Sequence, residues 1–418
     1  MNEGGRVIVV GGGAAGMCAA AAALESGASV TLFEPNRFLG RKLRITGKGR
    51  CNLTNNCSPE EALKNVLRGQ RFMYGPMFRF PPEEVMVWFE ALGVPLKTER
   101  GRRVFPVSDK AADVAQALDE HIRSLGAVII HEKVTEVCFS DGVAAGVIAA
   151  GRRYAANAVI VATGGISYPA TGSRGDGYRF AKSAGLQVLA PSPSLVPVNT
   201  AENVSLLAGL TLKNVQLSLC GAGGKKLFSS MGELLFTHSG ISGPLVLSAS
   251  AHMQGQPIES FSMSIDLKPA IPQSELNERL IRELAEGGQK EIANAIVSLL
   301  PRAMGASVLS AAGVDPHTRC CDMTKVQRLS LCAALKKFPI TPVSLGKPEE
   351  AVITAGGVDT RELSPKTMMA KRVPGLFFAG EVIDADAYTG GYNLQIAWAT
   401  GRAAGQGAAD YSFSGTGA

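Results

Sequence analysis

The chain has 418 residues, long enough for roughly two or three domains with a sizeable core. Apolar residues make up 46% and charged ones 19%, the balance of an ordinary globular protein rather than of a disordered or membrane-embedded one. A formal charge of +6 suits anionic ligands such as nucleotides or acyl-CoA compounds, and alone it is too small to argue for nucleic-acid binding.

The first unit in chain order is Val7 to Glu34, which reads as strand, turn, helix and second strand. Val7 to Val10 is a β-branched run suited to a strand buried on both faces, and it feeds into Gly11, Gly13 and Gly16 at G-x-G-x-x-G spacing. Gly11 permits the tight turn, Gly13 removes the Cβ that would hold a pyrophosphate away, and Gly16 lets the next helix lie close to the strand. That helix is expected from Ala14 to Ser26, with Gly27 capping it. Its unpaired N–H groups and positive dipole end make an anion site. Ala28 to Phe33 then delivers Glu34, where an acid accepts hydrogen bonds from ribose hydroxyls, a feature that favours FAD or NAD over NADP. A plain glycine-rich turn shares the glycine spacing but not the flanking strand, helix and acid.

The strand begins so near the N-terminus that no signal peptide is expected, and the uncharged stretch after Glu233 is broken by Gly and Pro. A cytoplasmic protein without a membrane span is therefore expected. Cysteines 18, 51, 57, 138, 220, 320, 321 and 332 form neither a C-x-x-C pair nor a metal-ligand cluster and read as reduced thiols, with no metal site.

From Arg37 to Arg50 there are six basic residues and no acid. Such a run is usually a solvated loop, but its place just after the ribose-binding acid favours contact with a cofactor or substrate anion. Cys51 and Cys57 sit at C-x5-C, not at the C-x4-C of flavin disulfide reductases. No second nicotinamide fingerprint supports that chemistry: GAGGKK at 221 to 226 has Lys at the last position and no helix after it. Residues 58 to 125 read as helical, with Glu83 to Leu92 amphipathic and Ala111 to Leu125 a periodic helix ended by Gly126. The runs at 127–139 and 142–150 predict a small β-meander, followed by a strand from Tyr154 to Ala162. Its turn, Thr163-Gly164-Gly165, is placed at the carboxyl edge of the parallel sheet.

At Ala190 the composition shifts to a proline-rich crossing that marks a domain boundary. An inserted substrate domain is expected over 191–345, β-rich at 191–270 and helical at 271–345. Two strand-and-glycine units, Glu350 to Val358 and Gly375 to Val382, are expected to complete the first sheet. The fold class is therefore α/β: a Rossmann-type dinucleotide-binding domain from 1–190 and 346–418, interrupted by the inserted domain.

Five segments carry a resemblance that runs nearly end to end: GGGAAG at 11–16, GRKLRITGKGRCNLTN at 40–55, VIVATGG at 159–165, FTHSGISGP at 236–244 and AGEVIDADAYTGGYNLQIAWATG at 379–401. The chain resembles the two-dinucleotide-binding-domain flavoproteins, and more closely the bacterial FAD-dependent oxidoreductases of the aminoacetone-oxidase-like and dehydro-bile-acid-reductase type. The resemblance implies that the first fingerprint holds the ADP half of FAD and that the GRK, GRCN, GE-x-x-D and GGYN segments line the flavin and its ribityl chain. Carried over by position, the cofactor residues are Gly11, Gly13, Ala14, Ala15, Gly16, Glu34, Arg41, Lys42, Cys51, Asn52, Val134, Ala162, Thr163, Gly164, Gly380, Glu381, Asp384, Gly391, Tyr392 and Asn393. The helix opening near Asn393 gives a second positive terminus, suited to negative charge on a reduced flavin.

His238, Tyr168, Arg174 and Tyr388 are the candidates for anchoring or protonating a substrate, set against the plainer roles of a hydrogen-bonded turn histidine and stacking tyrosines. The expected reaction is NAD(P)H-driven reduction of a C=C bond conjugated to a carbonyl in a small bile-acid-like or steroid-like molecule. NAD(P)H is a transient reductant in that reading, and neither a nucleic-acid nor a membrane partner is expected. A flavin amine or aminoketone oxidase using O₂, and a nucleotide- or RNA-binding flavoprotein, are the alternatives.

Overall fold

A computed structural model describes residues 5–414. The chain divides into two units, one running to Pro193 and resuming at Pro348, the other Ser194–Lys347. In the first unit, strand β1 (Arg6–Val10) leads through the glycine turn into helix α1 (Ala14–Glu25) and strand β2 (Ser29–Phe33). Strands β3 (Val128–Ile130), β4 (Ala158–Val161) and β5 (Leu376–Phe378) complete a five-stranded parallel sheet in the order β5-β4-β1-β2-β3. Every residue from Val7 to Val10, from Ala158 to Val161 and from Leu376 to Phe378 is buried, on both faces, which is why these strands read as continuous apolar runs and not as alternating ones. Val10 pairs with both Val161 and Phe33, so three strands end at one level and release their loops along the same edge.

The last helix, α2 (Tyr392–Ser414), packs on α1. A Cβ on Gly401 would lie 2.6 Å from the Ala15 carbonyl oxygen, and one on Gly405 would lie 2.3 Å from that of Ala19. Alanine on one helix and glycine on the other thus set a close approach, and Ala15 to Ala23 are buried around the whole of α1. The helix stops one residue earlier than expected, with Ser26 as its C-cap and Gly27 left-handed beyond it.

Strand pairing differs from expectation in several places. The run at 127–139 is not one meander strand: Val128–Ile130 edges the parallel sheet, and Val134–Ser140 starts an antiparallel meander with Val143–Ala149 and Arg152–Ala155. Likewise Tyr154 to Ala162 is divided at Asn157, which donates its backbone N–H to the Arg6 carbonyl and accepts the Arg6 N–H on its side chain, both at 2.9 Å. Ile353–Val358 does not complete the first sheet; it pairs with Val188–Ser194 in a separate two-stranded ribbon, and only β5 joins. Within 58–125 the four helices Pro59–Lys64, Gln70–Arg79, Pro82–Ala91 and Ala111–Ser124 are interrupted by the hairpin Leu96–Glu99 and Arg103–Pro106. Period and propensity report that a segment is strand-like and say little about its partner.

The second unit carries a seven-stranded sheet in which every recorded pairing is antiparallel. Its longest strand, Lys226–Phe236, is exposed over much of its length and lacked an apolar signature. The helices Gln273–Gly287, Gly305–Ala312 and Lys325–Lys336 follow, but the segment to 345 is not helical throughout. Phe338–Ile340 and Pro342–Leu345 return to the sheet as its two edges. Among the described residues no helix is long and apolar enough to cross a membrane.

Candidate functional site

The three fingerprint glycines are needed for different reasons. Gly11 has φ +107°, and a Cβ there would lie 2.5 Å from the Ala162 carbonyl oxygen. On Gly16 it would lie 1.8 Å from the Gly11 carbonyl oxygen, so helix and strand touch at that point. A Cβ on Gly13 would meet no protein atom within 4 Å. The protein's own packing requires the first two, whereas the space at Gly13 opens beside the α1 N-terminus, which no side chain caps. Ala14 and Ala15 begin that helix, and Gly380 approaches it so closely that its Cβ would lie 2.6 Å from that of Ala15.

Glu34, at the end of β2, accepts the Gly12 N–H at 2.9 Å and both the backbone N–H (2.9 Å) and the side-chain amide (2.6 Å) of Asn36. Arg41 in turn donates to the Asn36 side-chain oxygen at 2.8 Å. A carboxylate held at the end of the second strand, with an open uncapped helix terminus nearby, fits the ribose and pyrophosphate of a dinucleotide. Val134 is buried as the first residue of the meander.

The loop after β2 turns through left-handed backbone at Gly47, Lys48, Gly49 and Cys51. Lys48 and Cys51 are non-glycine residues there, a local strain of the kind that surrounding packing must enforce. Arg50 spends its charge internally, 2.5 Å from Glu99 and 2.6 Å from Asp109, with its guanidinium 4.2 Å from the Phe105 ring centroid. Burial pushes the Cys51 thiol up to about 12, and burial followed by Glu61 pushes Cys57 up to about 11. All eight cysteines are free, and these two are protonated near neutrality, the opposite of an activated dithiol.

With its amide turned to satisfy both ends, Asn52 accepts the Gly391 N–H (3.0 Å) and donates to the Thr54 carbonyl (3.1 Å), while Asn55 donates to the Gly390 carbonyl at 3.0 Å. These bonds tie the GRCN loop to the start of α2. At Gly391, with φ +100°, a Cβ would lie 2.3 Å from the Thr54 carbonyl oxygen. Asn393 folds back on its own chain, accepting the Ala387 N–H and donating to the Ala387 carbonyl, both at 2.8 Å.

After β4, Ala162 donates its N–H to Val10, and left-handed Gly164 packs against Ser173. The Thr163 and Tyr178 hydroxyls are buried without a hydrogen-bond partner among the described residues. Lys42 reaches Glu381 at 2.6 Å and Ser167 at 2.5 Å. Asp384 accepts the Gly356 N–H at 3.1 Å, and burial raises its carboxyl above the ordinary range. Ser167 and Thr354 escaped the sequence reading; their only signal is proximity to glycine turns at strand ends.

Of the substrate candidates, Tyr168 is half-buried and left-handed with its ring centroid 5.8 Å from the Lys42 ammonium, and Arg174 is exposed. Tyr388 and Tyr392 are half-buried, and burial raises both phenols, that of Tyr392 to about 12. His238 lies in the second unit, exposed in the turn where the Thr237 N–H meets the Gly240 carbonyl at 2.8 Å.

Residues 5–407 match the family model described as HI0933-like protein Rossmann domain. The chain belongs to that family. The ribosomal RNA dihydrouridine synthase of Haemophilus influenzae is 30% identical over 382 residues, spanning 90% of this chain and 91% of that one. The 3-dehydro-bile acid Δ4,6-reductase of Clostridium scindens is 30% identical over 398 residues, spanning 92% and 94%. A 3-ketosteroid-Δ4-(5α)-dehydrogenase from Rhodococcus jostii, solved with 4-androstene-3,17-dione, shares the fold at a TM-score of 0.53 and 17% identity, with 98% of each chain covered. With the family, the protein is an FAD-dependent oxidoreductase.

Proposed function

We propose that the protein uses FAD to reduce a carbon–carbon double bond conjugated to a carbonyl, with NAD(P)H as the electron source. What carries this reading is the shared chemistry of the two relatives. A Δ4,6-reductase acting on a 3-dehydro-bile acid and an enzyme that makes dihydrouridine both add two hydrogens across a C=C bond conjugated to C=O. The bound flavin, once reduced by NAD(P)H, would supply the hydride. The chain's own residues are left to hold the cofactor, orient the carbonyl and deliver a proton to the neighbouring carbon.

Within the first unit the cofactor would be held at the uncapped α1 terminus, by Glu34, and by the segments around Lys42, Asn52 and Gly391. Tyr388 and Tyr392 are phenols, protonated at neutral pH, and burial raises both further, which suits them to donate a hydrogen bond to a carbonyl oxygen. Arg174 is exposed and suited to an acidic substrate tail. His238 is assigned the proton transfer, since an imidazole carries both a donor and an acceptor nitrogen and this one is exposed.

The substrate is a small bile-acid-like or steroid-like enone in the preferred reading. A uracil ring in RNA is the second, favoured by the dihydrouridine synthases of Haemophilus influenzae and Escherichia coli, each 30% identical to this chain. Anaerobic stopped-flow spectroscopy distinguishes them. NAD(P)H should bleach the flavin band, and a 3-oxo-4-ene steroid should restore it; restoration only by uridine-containing RNA favours the second reading. Bleaching by an aminoketone, with peroxide on admitting air, overturns both in favour of an oxidase. His238→Gln should keep FAD and lose turnover with the restoring substrate.

A further inference from the structure

Four segments far apart in sequence meet around one carboxylate near the carboxyl edge of the parallel sheet. Glu381 follows β5, Ser167 follows β4, Lys42 lies in the basic loop after β2, and Thr354 sits on Ile353–Val358. One Glu381 oxygen, Oε1, accepts the Thr354 N–H (2.9 Å), the Thr354 hydroxyl (2.8 Å) and the Ser167 hydroxyl. The other, Oε2, faces the Lys42 ammonium at 2.6 Å. Thr354 Oγ1 is itself fixed by the N–H groups of Ile166 (2.8 Å) and Ser167 (3.2 Å). Gly165 is left without a side chain for a visible reason: its Cβ would lie 2.2 Å from Thr354 Oγ1 and 2.9 Å from Glu381 Oε1.

A carboxylate has about four acceptor positions, and this one meets four donors. It has little left to offer a ligand. Lys42 has three N–H donors and uses two, on Glu381 and on Ser167 at 2.5 Å, so one N–H of an ammonium paired with Glu381 remains to be offered.

We propose that Glu381 does not bind the cofactor directly but, with Thr354 and Ser167, acts as a positioning group that holds the Lys42 ammonium toward it. The proposal rests on the FAD reading above. A cation held in the cofactor site favours the more negatively charged, reduced form and so raises the midpoint potential of the bound flavin. Thr354 is the useful handle, because replacing it disturbs the carboxylate without changing any formal charge.

The test uses FAD-loaded wild type, Thr354→Val, Thr354→Ser, Lys42→Met and the Lys42→Met/Thr354→Val double variant, read by midpoint potential and FAD dissociation constant. Lys42→Met should move the potential negative and weaken FAD binding roughly tenfold or more, the loss of one charge-assisted hydrogen bond. Thr354→Val should shift both in the same direction by less, and Thr354→Ser should restore them. The double variant should move no further than Lys42→Met, because Thr354 acts through the lysine. Full additivity, or an unchanged potential in Lys42→Met, overturns the proposal. Should Thr354→Val fail to fold, Ser167→Ala takes its place in the same cycle with the same two outcomes. Wild type that releases no FAD on denaturation refutes the cofactor reading itself, which is a different result from additive shifts in an FAD-loaded protein.

Discussion

Replacing Gly13 by alanine separates what the fold needs from what the cofactor needs. Gly13 has φ −81° and ψ −171°, a conformation alanine adopts freely, and an added Cβ meets nothing within 4 Å. At a helix N-cap, alanine costs about 0.5 to 1 kcal/mol relative to glycine. Restricting the unfolded chain returns about 0.4 to 1 kcal/mol. The two offset, so the stability of the FAD-free protein should stay within about 1 kcal/mol of wild type. With FAD bound, the methyl group enters the space assigned to the pyrophosphate, and overpacking of about 1 to 3 kcal/mol becomes a 5- to 150-fold loss of affinity.

Gly16→Ala is the contrast, since its Cβ would lie 1.8 Å from the Gly11 carbonyl oxygen and can be relieved only by moving helix from strand. It should destabilise the FAD-free protein at or beyond the upper end of about 1 to 3 kcal/mol. Urea denaturation of the FAD-free protein and fluorescence titration with FAD read both quantities. Gly13→Ala that binds FAD within about twofold of wild type at unchanged stability would refute the placement of the phosphates at residue 13.

Gly405→Ala tests the α1–α2 contact: helix propensity favours alanine by about 1 kcal/mol, but a Cβ 2.3 Å from the Ala19 carbonyl oxygen makes overpacking dominate, and net destabilisation by urea denaturation is expected. Asp384 has its carboxyl raised by burial, with Asp386 and Asp359 adding to the rise and Arg68 and the Gly356 N–H opposing it. The folded state therefore holds the proton more tightly than the unfolded one, and stability falls as pH rises from the ordinary aspartate value of about 3.9 through the raised value. Asp384→Asn should be more stable than wild type at pH 7 by urea denaturation, with the advantage shrinking as pH falls toward about 4; a constant advantage would contradict the burial argument.

The first turn of this protein was legible because its constraints are local. Strand, glycine turn, helix and acid lie within one short segment: the φ of +107° at Gly11 and the contact of a Gly16 Cβ with the Gly11 carbonyl oxygen arise inside it, whereas the approach of Gly11 to Ala162 is tertiary. The amphipathic helix at Ala111–Ser124 and the apolar strand at Ala158–Val161 were legible for the same reason, since period and composition are properties of a single segment.

Only the tertiary structure decided which charges and strands found each other. Arg50, in the basic loop, shares Glu99 and Asp109 with Lys97, a set of partners that no pattern in the loop announces. Lys42 meets an acid 339 positions away, and Ile353–Val358, no less strand-like than Leu376–Phe378, pairs outside the main sheet. The physical reason is common to these cases. A charged side chain or a β-branched run advertises a need for a partner, and the choice among partners depends on burial and geometry that exist only after chain segments distant in sequence have come together.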